Sequence, residues 1–233
     1  MLTMDTSLTR STRIAALLFL SAGILWILIE LIVASAFRPS YSYANNFISD
    51  LGVPIPGAFD GRPIDSPLAW LANLGFIAQG VLFLLGSIAI LRGTNSGIAR
   101  WIFLSLAGIY AIGFVLIATF HGSSQAQEAG LIRFHFLGGS LAALAGNFAL
   151  IFAGIAGKHI GVSRSQRLVS IGLGVVGLFC AIMLSIDQGH TPINLLPPGI
   201  WERGIAYSTI LWEILLGTTL LLAERDHRLT EAE

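Results

Sequence analysis

The chain has 233 residues, with 13 Lys and Arg against 13 Asp and Glu, 55% hydrophobic residues and only 11% charged ones. Soluble domains carry about 25% charged residues, and the mean hydropathy here is +0.78, so the composition describes a polytopic membrane protein. It excludes a disulfide scaffold, because Cys180 stands alone. It also excludes a nucleic-acid binder, because zero net charge offers polyanions no attractive field.

Crossing about 30 Å of hydrocarbon takes roughly 20 mostly apolar residues in a helix. Six stretches qualify: Ile14–Ala36, Leu68–Leu91, Ala99–Phe120, His135–Ala156, Leu168–Asp187 and Gly204–Ala223. They predict an all-α fold, one integral membrane domain over residues 1–233, with six transmembrane helices in a compact bundle and no separate soluble domain. The first span has Arg10 and Arg13 ahead of it and Ala34-Ser35-Ala36 at its end, which imitates a signal peptide. Its apolar run exceeds the roughly 7–15 residues of a signal core, so an uncleaved span is expected.

Orientation follows from Lys and Arg placement. With the N-terminus inside, Arg10, Arg13, Arg92, Arg100, Lys158, Arg164, Arg167, Arg225 and Arg228 fall on the inner side. Only Arg38, Arg62, Arg133 and Arg203 fall outside. Both termini are therefore expected in the cytoplasm of a multi-pass cell-membrane protein, such as one of a bacterial inner membrane.

The outer connections hold the unusual residues. Ser66-Pro67 reads as the start of the second helix, with Ser66 as its cap. Pro197-Pro198-Gly199 reads as the end of the last outer loop. Within Asn45–Gly52, Phe47, Ile48 and Leu51 are apolar among capping-type residues, so this segment is expected to pack onto the bundle.

Two apparent cofactor signals fail on context. Gly172-Leu173-Gly174-Val175-Val176-Gly177 matches a dinucleotide fingerprint but lies inside a membrane helix, not after a strand. There, as at Gly138, Gly139, Ala142, Ala143 and Gly146, small residues let helices approach closely. Haem is disfavoured because none of His121, His135, His159, His190 and His227 lies deep within a span.

Polar residues gather at the outer level. Helix ends bring His121, Arg133, His135, Asp187, His190, Glu202 and Arg203, and the first loop adds Asn46, Ser49 and Asp50. Imidazoles and carboxylates are natural zinc ligands, so His121, His135, Asp187 and His190 form a candidate metal set. Alternatively Ser49 is a nucleophile needing a His base and an Asp orienter, with Asp50 as the candidate. Asn46, Arg133, Glu202 and Arg203 are candidate ligand-binding residues. The same residues also admit an architectural reading, in which Asp50 and Asn46 organise a turn and Arg133, Glu202 and Arg203 pair with one another or with lipid phosphate. No H-E-x-x-H or G-x-S-x-G spacing decides among these.

Within the spans, Glu30, Gln79, Asn147 and Glu213 need partners. The amides suit interhelical hydrogen bonds. At about 1.5 Å per residue, Glu213 lies roughly 15 Å below Arg203, and Glu30 lies nearer the surface. Acids at two depths would suit a proton or cation path.

Tyr41-Ser42 followed by Asn46-Phe47-Ile48-Ser49-Asp50-Leu51-Gly52 resembles the N-x-I-S-D-L-G signature of a prokaryotic membrane family, domain of unknown function 998. Gly199-Ile200-Trp201-Glu202-Arg203 with Leu211-Trp212-Glu213 resembles that family's closing pattern. The resemblance implies an integral membrane protein without assigning an activity, and makes Asn46, Ser49, Asp50, Glu202 and Arg203 the first positions to test. The preferred expectation is an outward-facing polar pocket that binds a lipid headgroup or small amphiphile. The alternatives are a zinc-dependent hydrolase at the outer face and a small transporter using Glu30 and Glu213. Membrane lipid is the expected partner; oligomeric state has no signal in the sequence.

Overall fold

A computed structural model describes residues 6–92, 97–157, 163–188 and 195–231. Among these residues seven α-helices form: α1 (Thr6–Ala36), α2 (Ala69–Ile90), α3 (Gly97–Thr119), the short α4 (Ser124–Glu128), α5 (Ile132–Ala156), α6 (Arg164–Gln188) and α7 (Pro198–Glu231). All but α4 contain a segment long and apolar enough to cross a membrane. The chain is a multi-pass membrane protein built as six spans. The last begins earlier than expected: α7 starts at Pro198, whose fixed φ suits a first helical position, so Glu202 and Arg203 lie within the helix.

The six long helices form a ring in chain order. Each packs on the next, α7 closes back onto α1, and α5 touches α7 only lightly across the middle. Small residues set the close approaches. A side-chain carbon on Gly80 would meet the Ala111 backbone of α3, and one on Gly113 would meet Gly138 and Ala142 of α5. Gly217 does the same for Ala16 of α1. Gly174 and Gly177 of the apparent fingerprint lie against Ile151 and Asn147 of α5, as the packing reading expects. Outward faces are apolar; Val175, Val176, Phe179 and Ile182 of α6 are all exposed.

The ring encloses two different fillings. Toward the end that carries the termini, Phe19 packs edge-on to Phe83 and Trp212, with centroids 5.7 and 5.3 Å apart. Toward the opposite end, Trp26 meets Phe76 and Phe114 at 5.7 and 5.5 Å, and the packing opens into a cavity.

Residues 37–68 form a cap over that end. A 3-10 turn spans Ile48–Gly52, and a two-stranded antiparallel hairpin pairs β1 (Gly57–Phe59) with β2 (Arg62–Ile64). The sequence reading had no strand here. Its signal is Asp60-Gly61: both residues take positive φ, 52° and 75°, the conformation a tight hairpin turn requires. Ser66 does not cap α2. The helix begins after Leu68 without a side-chain cap, and the Ser66 hydroxyl instead donates to the Leu51 carbonyl at 2.6 Å.

Candidate functional site: a capped cavity and its clasp

The cap is held first by its own side chains. Asn46 accepts from the Ser42 amide at 3.0 Å and donates to Asp50 Oδ2 at 3.1 Å. Asp50 Oδ2 also accepts from the Phe47 amide at 3.1 Å and from Arg62 Nε at 3.2 Å. The Arg62 guanidinium lies 4.5 Å from the Phe47 ring centroid and also reaches Asp60. A carboxylate with two hydrogen-bonded neighbours and an ion pair tolerates burial, and Asp50 is only 2% exposed.

The second set of bonds ties the cap to the ring. Glu202 Oε2 accepts from the Ile48 amide. Arg203 NH1 donates to the carbonyls of Tyr43, Asn46 and Gly199 at 2.6, 3.0 and 3.1 Å. Its NH2 donates to Glu30 Oε1 at 2.9 Å and to the Tyr41 hydroxyl at 2.6 Å. Tyr41 passes the connection on, donating to the Phe47 carbonyl at 2.8 Å, and Tyr207 donates to Glu30 Oε2 at 3.0 Å. Burial holds the Tyr41 phenol well above its ordinary pKa, so it remains a donor. The two motif segments, 46–52 and 199–203, are thus the two halves of one clasp. On α2, Asn73 donates to the Gly52 carbonyl at 2.8 Å and to His121 Nε2 at 3.2 Å, bringing the end of α3 into the same structure.

Under the cap lies a cavity of about 610 Å³. Its walls are mainly apolar and aromatic, from Trp26, Phe76, Phe114, Ile117, Leu184 and Ile205. Polar groups collect at the mouth: Ser49, Asp50, Asp60, Arg62, His135, Gln188 and Glu202. Tyr110 and Thr209 form the far end. His135 Nδ1–H donates to the Phe120 carbonyl at 2.8 Å, which leaves Nε2 as an acceptor. The Ser49 hydroxyl, Asp50 Oδ1 and Glu202 Oε1 have no hydrogen-bond partner among the described residues.

The structure therefore sorts the expected site residues. Ser49, Asp50, His135 and Glu202 meet at the cavity, whereas Asn46, Glu30 and Arg203 belong to the clasp. Arg133 lies over the Phe134 ring at 5.0 Å and does not line the cavity. Nor do Arg133, Glu202 and Arg203 pair with one another; the ion partner of Arg203 is Glu30.

The described members of the zinc set do not form a metal site: no three His, Cys, Asp or Glu side chains among the described residues converge in a way that would hold an ion. His121 already gives its Nε2 lone pair to Asn73, and burial lowers its pKa. Asp187 accepts from Trp201 Nε1 at 2.6 Å and faces the Leu195 and Leu196 amides. His190 lies outside the described residues. Nor do the described residues assemble a Ser–His–Asp relay, because the Phe120 carbonyl orients His135 and Asp50 is committed to the cap.

Glu213 sits apart from the clasp. It is fully buried and accepts from Gln79 Nε2 at 2.7 Å, and that amide also donates to Tyr110 at 3.2 Å. Asn147 donates to carbonyls of Ala143 and Ile205, joining α5 to α7. The amides are interhelical partners, as read. The sequence reading missed Arg62, Asn73 and Tyr207. The hairpin signal beside Arg62, and an amide near the start of an apolar span in Asn73, mark two of them; Tyr207 carries no comparable signal.

The family described as "Protein of unknown function (DUF998)" matches this chain over residues 14–219, which is most of its length and contains both halves of the clasp. No curated protein and no solved structure matches the chain.

Proposed function

We propose that this chain, which belongs to the family described as "Protein of unknown function (DUF998)", is a membrane-embedded binding protein whose capped cavity takes a lipid headgroup or a small amphiphile. The observation that carries the reading is the cavity itself. Its volume of about 610 Å³ falls within the roughly 300–1,000 Å³ of small-ligand sites. An apolar shaft with a polar mouth matches a molecule that has a hydrocarbon part and a polar head. In this reading the cap faces outward and both termini are cytoplasmic, on the bias of Lys and Arg toward the connections at the termini's end.

Neither alternative gains a specific observation. Hydrolysis by zinc needs a ligand set that the described histidines and Asp187 do not gather. A proton path needs Glu30 and Glu213 to communicate, yet they belong to separate hydrogen-bonded groups.

Trp26 lines the cavity, so its fluorescence reports occupancy. In nonionic detergent, bromododecanol should quench it saturably, and Trp26→Phe should remove that component. Gly139 also lines the cavity, and a side chain there meets nothing within 4 Å. Gly139→Leu should therefore fill the space and abolish the saturable component while leaving the fold intact. Quenching that never saturates, or that Gly139→Leu leaves unchanged, would refute the proposal.

A further inference from the structure

Resting on that reading, we infer that the cavity selects amphiphiles whose head carries a cationic ammonium and discriminates against those whose head is anionic phosphate without one. Carboxylates outnumber cations at the mouth. Asp50 and Asp60 line it, and Arg62 is the one Lys or Arg among the described lining residues. Arg62 is already shared between Asp50 and Asp60, at 3.2 and 3.3 Å. The guanidinium that an anionic head would require is therefore spent on the protein's own carboxylates.

The cation that sequence reasoning would have offered a phosphate is also committed. Arg203 points its NH1 and NH2 donors at Tyr43, Asn46, Gly199, Tyr41 and Glu30, and it does not line the cavity. Arg133 does not line it either.

What remains is a set of acceptors. Asp50 Oδ1 has no hydrogen-bond partner among the described residues. The fixed tautomer of His135 presents a lone pair at Nε2. An ammonium supplies the matching donors and charge, whereas a phosphate oxygen would meet like charge and stacked acceptors. The aromatic rings of Trp26 and Phe76 in the walls work in the same direction, because aromatic rings attract cations and not anions over their faces. The alkyl chain then occupies the shaft toward Tyr110 and Thr209.

The test is competition against bromododecanol quenching of Trp26 in the full chain. Dodecyltrimethylammonium and dodecyl phosphate, which share one tail length, are compared below their micellar concentrations. The ammonium should displace the probe at a concentration at least about tenfold lower, the scale of one charge-assisted contact. Asp60→Asn, at the hairpin turn that Asn also tolerates, should shrink that ratio without touching the clasp.

Equal or better displacement by dodecyl phosphate would overturn the charge inference and leave the cavity reading standing. Absence of saturable quenching by the neutral probe would overturn both. Nanodiscs separate the sources of the head. If bilayers containing phosphatidylethanolamine, unlike those of phosphatidylglycerol, block dodecyltrimethylammonium, the bilayer supplies the ligand. If the amphiphile binds equally in both, the ligand arrives free.

Discussion

Replacing Arg203 by Met tests whether the clasp holds the cap closed. Arg203 makes five hydrogen bonds, and its partner Glu30 is only 3% exposed in its side chain against 11% for Arg203. With both groups this buried, solvent screens little of the interaction. Removing one member of such a pair strands a buried carboxylate and frees three carbonyls, at a cost of about 3–5 kcal/mol. The cap can escape that cost by opening locally, so its opening should become roughly 100- to 5,000-fold more frequent. Hydrogen exchange in detergent reads this directly. The amides of Asn46, Phe47 and Ile48, which bond to Ser42, Asp50 and Glu202, should lose that much protection. The amides of α2 around Gln79 should not change. Arg203→Lys should rescue only in part, because a single ammonium cannot reproduce the planar fork that serves five acceptors. Combining Arg203→Met with Glu30→Gln should cost at least about 1 kcal/mol less than the sum of the single changes. Unchanged protection in Arg203→Met, or complete rescue by Lys, would refute the clasp.

Three further outcomes are expected. In a Cys180→Ala background, a membrane-impermeant thiol reagent applied to intact cells should label Ile55→Cys on the cap and not Arg92→Cys; the reverse pattern would invert the proposed orientation. Burial lowers the His121 pKa, so in acid the unfolded chain binds a proton before the folded chain does. The stability attached to neutral His121 is therefore complete above about pH 6.5 and lost as the pH falls through that value toward the folded pKa. The thermal midpoint should drop between pH 7 and pH 5 and drop less in His121→Gln; identical slopes would count against this. Finally, Gly177→Ala drives a methyl into Asn147 and should cost about 1–3 kcal/mol, whereas Gly172→Ala in the same motif meets open space and should be neutral or better. Equal effects of the two would defeat the packing account of these glycines.

The parts of this fold that follow from solvent preference were legible in the sequence. Apolar run length located six spans, and small residues marked the helix contacts now seen at Gly138, Gly174 and Gly177. The amphipathic character of 45–52 correctly placed that segment against the bundle, where Ile48, Asp50 and Leu51 are buried. The roles of the polar residues were not legible, because a single charge has many suitable partners and the ring decides which it meets. Arg203 and Glu30 stand 173 positions apart, and nothing local to either announces the other. His121 and His135 resemble metal ligands in sequence, but Asn73 takes the Nε2 lone pair of His121, and the free Nε2 of His135 gathers no set of three ligands among the described residues.

The far end of the cavity explains why the ring suits retention better than passage. Tyr110 and Thr209 close the shaft near mid-depth, and directly behind them Gln79 bridges Tyr110 to Glu213. Beyond that bridge stand Phe19, Phe83 and Trp212, with Phe83 also 4.7 Å from the Tyr110 ring. Each such aromatic pair is worth about 0.5–1.5 kcal/mol beyond the area it buries, and Phe19 and Phe83 are wholly buried. A molecule moving from the cavity to the termini's end would have to break the amide bridge and part all three rings together. At the mouth, by contrast, the cap is what intervenes among the described residues, and it is fastened by hydrogen bonds that can open one segment at a time. The lower barrier therefore lies on the capped side, so a ligand bound as proposed would enter and leave on that side.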